Sequence, residues 1–565
     1  MTFTTLLIFI LLVQVIHFLG TWKLYIKAGR KAWEAAVPIY NAIVLMKIIN
    51  RSPWWTLLLF IPIVNLIMFP VIWVETLRSF GRNSNTDTFL GVCTFGLYIY
   101  YINYTQEVTY TNDRSLKPRT AAGEWISSIL FAVVAATIIH TYVMQPFTIP
   151  TSSLEKTLLV GDFLFVSKFH YGARIPMTAV SFPMVHDSIP ILRTKSYLDK
   201  LQLPYFRLPG FQKIKRNDIV VFSWPADTVR QFFVREKRVD KPIDKKSNYV
   251  KRCLGIPGDT LEIINGFVHT NGVKNILPSR ARVQYTFNAF AQKGVSSRKL
   301  IAAGFEDFNR KYKIENITEN SYQKLIPHIV GRIGNTVEDF SVITKAKGLP
   351  PELIRQLGLR VSEVLETNKE LTLTINEANG LKSLEGIDSV KQRVLTSKNS
   401  NETFFPNKIP FNWNEDNFGP LLIPKKGMTI SLTRDNLPLY KKIIQDYENN
   451  TLEFTPTKIK INNKVETKYT FKKDYYWMMG DNRHRSEDSR FWGFVPEDHI
   501  VGKPVFIWFS IKGINDGIKN WSVRWNRIFT TVDGPGERYS YFSFFIGFVI
   551  IWQGFVYIRK RKLKK

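Results

Sequence analysis

The chain has 565 residues and a formal net charge of +30, which is too long for one ordinary domain. Its two cysteines, Cys93 and Cys253, cannot supply a disulfide framework, so the fold rests on its core. The basic excess fits nucleic acid, anionic lipid or cytoplasmic anchoring of membrane segments; no nucleic-acid motif is present, and long apolar stretches favour the membrane.

Five stretches lack Asp, Glu, Lys and Arg over roughly the 17–25 residues that a bilayer span needs. They are Thr2–Trp22, Pro53–Val74, Thr88–Tyr104, Trp125–Met144 and Ser540–Ile558. Trp22, Trp54, Trp55, Tyr104, Trp125, Tyr541 and Tyr557 crowd their ends, as an interfacial belt does. Ala35–Met46 is apolar but short and contains Pro38, and reads as interfacial or re-entrant. The first run lacks a basic leader and a small-residue cleavage site, so it reads as a span and not as a removed signal.

Basic residues orient the set. They cluster at Lys23, Lys27, Arg30, Lys31, Lys47 and Arg51, at Arg114, Lys117 and Arg119, and in the tail at Arg559, Lys560, Arg561, Lys562, Lys564 and Lys565. All three clusters lie inside if the N-terminus is outside and the C-terminus inside. Residues 147–539 then form one extracytoplasmic segment.

That segment reads mainly as strand. FLFVSK (163–168) and DIVVFSW (218–224) are short runs rich in β-branched and aromatic residues. Asn265-Gly266 between apolar runs signals a hairpin, and residues 458–471 look like another. Residues 290–400 mix a helical pattern at 349–365 with the strand-like LTLTI at 371–375. The expected organisation is a multi-span region (1–124), a span leading outward (125–144), a catalytic β domain in two parts (145–285 and 421–539), an inserted α+β subdomain (286–420), and a last span with a basic tail (540–565). The fold class is a membrane-anchored, mainly-β extracytoplasmic catalytic domain with an α+β insert and about five transmembrane helices.

No His/Cys cluster has zinc spacing and no glycine-rich phosphate loop occurs, so neither metal nor cofactor is expected. The chemistry points instead to IPTSSLEKTLLVGD (149–162), where Ser152, Ser153 and Lys156 lie just beyond an apolar run. A serine is a poor nucleophile until a base takes its proton. The eight histidines are scattered, and His484 in a polar loop is the best placed of them. A lysine serves only as the neutral amine, which requires an apolar site. Lys156 completes a Ser-x-x-Lys pattern with Ser153, but Glu155 beside it favours the ammonium, and the partner Ser-Asp-Asn and Lys-Thr-Gly motifs are missing. Lys251, in NYVKRCLGIPGD (248–259), shares one face of a predicted strand with Tyr249 and Cys253.

IPTSSLEKTLLVGD, RNDIVVFSWP (216–225), YVKRCLGIPGD (249–259) and MMGDNRHRSEDSRFWGFVPE (478–497) occur in this order. Together they resemble the ordered motif boxes of bacterial type I signal peptidases, over roughly 125–270 and 420–510. The resemblance implies Ser153 as nucleophile and Lys251 as general base, with an oxyanion hole from the Ser153 N–H and the Thr151 hydroxyl. It implies that Ser486 orients the lysine and that Asp488 and Arg490 support it, while Asp481, Asn482 and Arg483 are structural. Substrate is expected to lie extended between Thr148–Pro150 and Tyr249–Val250, with Ile149, Pro150, Leu154, Tyr249 and Val250 lining small pockets. Trp492, Phe494, Trp508 and Phe509 either face lipid or pack in the core. The implied function is removal of signal peptides from exported preproteins at the bacterial inner membrane. Expected partners are those preproteins and the bilayer, with the secretion machinery a further candidate. The alternatives are a penicillin-interactive hydrolase using Ser153 and Lys156, or a non-catalytic membrane scaffold. Leu154 and Lys156 stand where the family often has methionine and proline.

Overall fold

The structure, a computed structural model, describes residues 2–563 apart from 119, 193, 229–237, 335–339, 397–402, 408–410 and 456–457. Arg119, Lys564 and Lys565, part of the charge bias above, lie outside the described residues.

Three helices among the described residues are long and apolar enough to cross a membrane. Helix α1 (Phe3–Lys27) starts at the Thr2 cap. Helix α2 (Ala121–Ile138), capped by Thr120, runs on into a π turn over Ile139–Val143. The third is α4 (Phe542–Leu563); a short helix that bears on the site, α3 (Ile375–Lys382), lies between α2 and α4 in the chain. The expected spans Pro53–Val74 and Thr88–Tyr104 are each broken. Ile63 at φ 71° separates the short helix Trp55–Leu58 from Val64–Ser79, and Phe95 (φ 51°) and Gly96 (φ 81°) separate Asn85–Cys93 from Tyr98–Thr105. Leu24, Tyr25, Ala35, Val44 and Ile72 share one core, so the Ala35–Met46 stretch packs against α1.

The main sheet is antiparallel. Its main path runs through β1 (Met144–Thr148), β2 (Asp162–Ser167), β3 (Ile219–Ser223), β4 (Asn248–Gly255), β5 (Tyr475–Met479), β6 (Val495–Pro496) and β7 (Ile500–Lys512), with the short strands Ser522–Val523 and Thr530–Thr531 added along β7. Their spatial order is β1-β2-β7-β3-β4-β5-β6. A strand buried on both faces reads as a continuous apolar run, and β3 shows why. Ile219 and Val221 enter one core with Leu154, Leu164 and Ile507, while Val220 and Phe222 enter another with Cys253, Met478 and Trp492. Beside it, Thr260–Ile264 and Phe267–Thr270 form the expected hairpin; Asn265 and Gly266 both take positive φ, as a two-residue turn needs.

Between the two parts of this sheet, residues 284–392 build two smaller antiparallel sheets. One contains Asn368–Thr374, Gln284–Phe290 and Ser389–Gln392; the other contains Asn309–Glu315 flanked by Ser341–Lys345 and Arg360–Glu363. The helical pattern at 349–365 is only half realised. Pro351–Gln356 is helical, Gly358 at φ 62° ends the helix, and Arg360–Glu363 is strand.

Candidate active site

Ser153 sits in a single 3-10 turn, Ser152–Leu154, between β1 and β2. Leu154 and Leu158 are buried in the sheet core and anchor this turn, leaving Ser153 9% exposed. Lys251 projects from β4, where it pairs with Val220. Its Nζ donates to Ser153 Oγ at 2.8 Å. The lysine is 4% exposed, and its Nζ lies 5.1 Å from the centroid of the Tyr249 ring. Tyr249 in turn stacks on Trp224 at 4.9 Å and meets Trp492 edge-on at 5.5 Å. Burial in this wall lowers the pKa of Lys251 to about 8, against the opposing pull of Asp488, Glu487 and Asp481.

The last motif holds the turn from the other side. The Asn482 N–H donates to the Ser153 carbonyl at 3.0 Å, and Asn482 Nδ2 donates to the Ser152 carbonyl at 3.2 Å. Gly480 is required at the end of β5: a Cβ there would lie 2.2 Å from Ser486 Oγ and 2.6 Å from the Ser153 carbonyl oxygen. Asp488 is fully buried, accepts the Gly480 N–H at 3.1 Å and pairs with Arg490 at 2.9 Å. Arg490 reaches on to the carbonyls of Arg483 and Glu415. A second buried pair, Arg252–Asp481 at 2.6 Å, takes the Thr157 hydroxyl as a further donor and so ties the loop after Ser153 to the same motif.

The remaining expected residues divide. Ser486 is buried close to the Ser153 carbonyl, but its hydroxyl has no hydrogen-bond partner among the described residues and so does not bond Lys251. Thr151 is exposed and caps the turn in an extended conformation. Tyr249 and Val250 pair with Phe222 and Val221 on one side, whereas β5 pairs with β4 only from Arg252 onward. Pro150 is exposed, with its carbonyl accepting from Asn515 Nδ2. Ile149 and Leu154 are 4% and 1% exposed and belong to the sheet core rather than to open pockets. Trp492 and Phe494 are likewise core residues at 5% and 2% exposure. Trp508 and Phe509 stay half-buried in an aromatic patch with Phe163 and Phe165.

Lys156 does not reach Ser153. Its Nζ is paired with Glu377 at 2.6 Å, at the N-terminus of α3. His484 is also committed elsewhere: its Nδ1 accepts the Thr286 N–H at 3.0 Å, so its Nε2 carries the proton and donates to Asp416 at 2.9 Å. Glu415, Asp416 and His484 gather three ligand atoms, yet this bonding leaves His484 no lone pair aimed at the group, which acts as a brace and not as a metal cage. Glu377, Asn482 as a carbonyl holder, and Gly480 escaped sequence reasoning. Only the glycine carried a signal, its place immediately before Asp481-Asn482.

A buried serine–lysine contact on an antiparallel sheet, next to long apolar helices, defines a membrane-anchored serine hydrolase class. Comparison narrows it: the family "Signal peptidase, peptidase S26" matches residues 122–332 and 423–509, more than half of the chain. The chain belongs to that family and is a serine endopeptidase. Residues 33–113 match a family of unknown function, DUF5684. The chain is similar to a signal peptidase I of Buchnera aphidicola from Acyrthosiphon pisum, 24% identical over 403 residues, covering 71% of this chain and 80% of the relative. Signal peptidase I of Haemophilus influenzae is 23% identical over 419 residues, covering 74% and 78%. That of Rickettsia rickettsii is 30% identical over 163 residues, covering 29% and 48%.

Proposed function

We propose that this chain removes signal peptides from exported preproteins, with Ser153 as nucleophile and Lys251 as general base. The observation that carries this reading is the 2.8 Å contact between Lys251 Nζ and Ser153 Oγ inside an apolar wall. Neutral Lys251 takes the Ser153 proton as Oγ attacks the scissile carbonyl. The Ser153 N–H and Thr151 hydroxyl face the developing oxyanion. Lys251 then gives the proton to the leaving amine, and the acyl-enzyme is hydrolysed by a water that Lys251 deprotonates. Asp488 and Arg490 brace the loop that carries Ser486 beside the Ser153 turn, and Ser486 is the residue proposed to orient the lysine when substrate is bound. Substrate adds as a strand between residues 148–150 and 249–250.

The same reading places the chain in the bacterial inner membrane, N-terminus out and C-terminus in, with the catalytic sheet and its inserted domain on the extracytoplasmic face. Membrane anchoring of both enzyme and substrate supplies proximity.

Incubating the purified full chain with a preprotein tests this. We expect cleavage after a small residue, a loss of at least about a thousandfold in Ser153→Ala, and retained activity in Ser152→Ala. Equal activity in wild type and Ser153→Ala would remove the serine from the reaction.

A further inference from the structure

A cavity of about 240 Å³ opens beside the nucleophile loop, where Lys156, Arg280, Arg282, Arg527 and Arg538 converge with one carboxylate, Glu537. Three of these cations are matched: Lys156 by Glu377, Arg527 by Asp162 and Arg282 by Glu537. Arg280 and Arg538 have no carboxylate partner among the described residues. Arg280 donates to the backbone carbonyls of Thr531, Asp533 and Gly536. Arg538 donates its Nη2 to the Thr157 carbonyl at 2.6 Å, and its Nε is buried with no hydrogen-bond partner. Gathering cations without counter-charge is unfavourable unless an anion joins them, and guanidinium forks match phosphate oxygens best. Glu537, 89% exposed at its side chain, is free to swing aside.

The position of the cavity identifies the source of the phosphate. Arg538 lies just before α4. The Tyr541 N–H donates to the Phe529 carbonyl, and the Phe529 ring meets Phe542 at 5.7 Å and Phe545 at 4.7 Å. Trp525 meets Phe542 at 5.8 Å. The apolar start of α4 is thereby fixed to the catalytic domain beside the cavity wall, at the level where a membrane helix enters the headgroup layer. We propose that this cavity binds the phosphate of an anionic phospholipid headgroup. The site rests on the membrane anchoring of α4 and is independent of the peptidase reading. It is coupled to the nucleophile loop through Thr157, whose carbonyl accepts from Arg538 and Arg527 and whose hydroxyl donates to Asp481.

The test is lipid retention by the full chain in detergent, read by native mass spectrometry after exposure to phosphatidylglycerol, phosphatidylcholine or inorganic phosphate. Wild type is expected to retain phosphatidylglycerol over phosphatidylcholine. Arg538→Gln is expected to weaken that retention by about tenfold or more, the loss of one charge-assisted contact. Glu537→Gln is expected to strengthen it. Equal retention of phosphatidylglycerol by all three proteins overturns the proposal. Inorganic phosphate bound as tightly as phosphatidylglycerol assigns the cavity to a soluble anion and overturns the lipid assignment. If Arg538→Gln does not fold, Glu537→Gln decides alone, because its exposed site tolerates the change: unchanged retention overturns the proposal.

Discussion

Lys251 owes its chemistry to where β4 places it, between Tyr249 and Cys253 and opposite Val220. Burial moves its pKa to about 8, so the amine is largely protonated at pH 6 and largely neutral at pH 9. On the proposed mechanism kcat/KM rises with pH through an apparent pKa near 8 and then levels. Glu487 and Asp488 both oppose the shift by stabilising the ammonium. Glu487 is the exposed one of the two, so Glu487→Gln should move the midpoint of the pH profile downward without loss of fold. An unchanged or upward midpoint would contradict the electrostatic account. At this scale four ordered motifs single out Ser153 and Lys251 in the sequence, and the two side chains meet in the structure. It was silent on the burial of Ile149 and Leu154, since an apolar residue beside a nucleophile fits a pocket wall and a core position equally well.

Elements rather than single residues explain Lys156. It takes positive φ at 66°, and its side chain bridges the nucleophile loop to the cap of α3, where Glu377 also closes the capping box with Thr374. Gln284 Nε2 adds a bond to the Glu155 carbonyl, and Arg485 pairs with Asp307. Gln284, Asp307 and Glu377 thus brace both loops of the site. The Lys156–Glu377 pair is partly exposed at both ends, a setting in which ion pairs contribute about 0.2–1 kcal/mol. Lys156→Gln should therefore change kcat/KM by less than about tenfold; a loss as large as that of Ser153→Ala would return Lys156 to the role of base. Short-range signals served well here: the Asn265-Gly266 pair announced the hairpin that turns at 264–267. Long-range ones did not, because nothing local in residues 375–382 announces contact with residue 156. The broken helices at 53–74 and 88–104 were hidden for a related reason. Apolar composition counts residues toward a span but does not register the positive φ at Ile63 or Phe95.

For the molecule as a whole, the three helices long and apolar enough to cross a membrane lie before and after the strands of the main sheet in the chain. The mainly-β character was legible from short β-branched and aromatic runs such as residues 218–224, and the anchoring from uncharged length. The proposed orientation makes residues 105–124 cytoplasmic and the sheet external. After replacement of Cys93 by serine, Ile276→Cys, at an 85% exposed site, should react with a membrane-impermeant maleimide on intact spheroplasts. Ser115→Cys, also exposed, should react only after permeabilisation. The reverse pattern would invert the topology and separate the site from exported substrates.

The central claim is that Lys251 is the base, and the most direct measurement compares preprotein cleavage by purified wild type and Lys251→Ala, with circular dichroism establishing that both are folded. The account predicts cleavage after a small residue by wild type and a loss of at least about a thousandfold in the folded variant. Comparable rates in the two proteins would contradict it, because the 2.8 Å contact with Ser153 would then have no part in proton transfer.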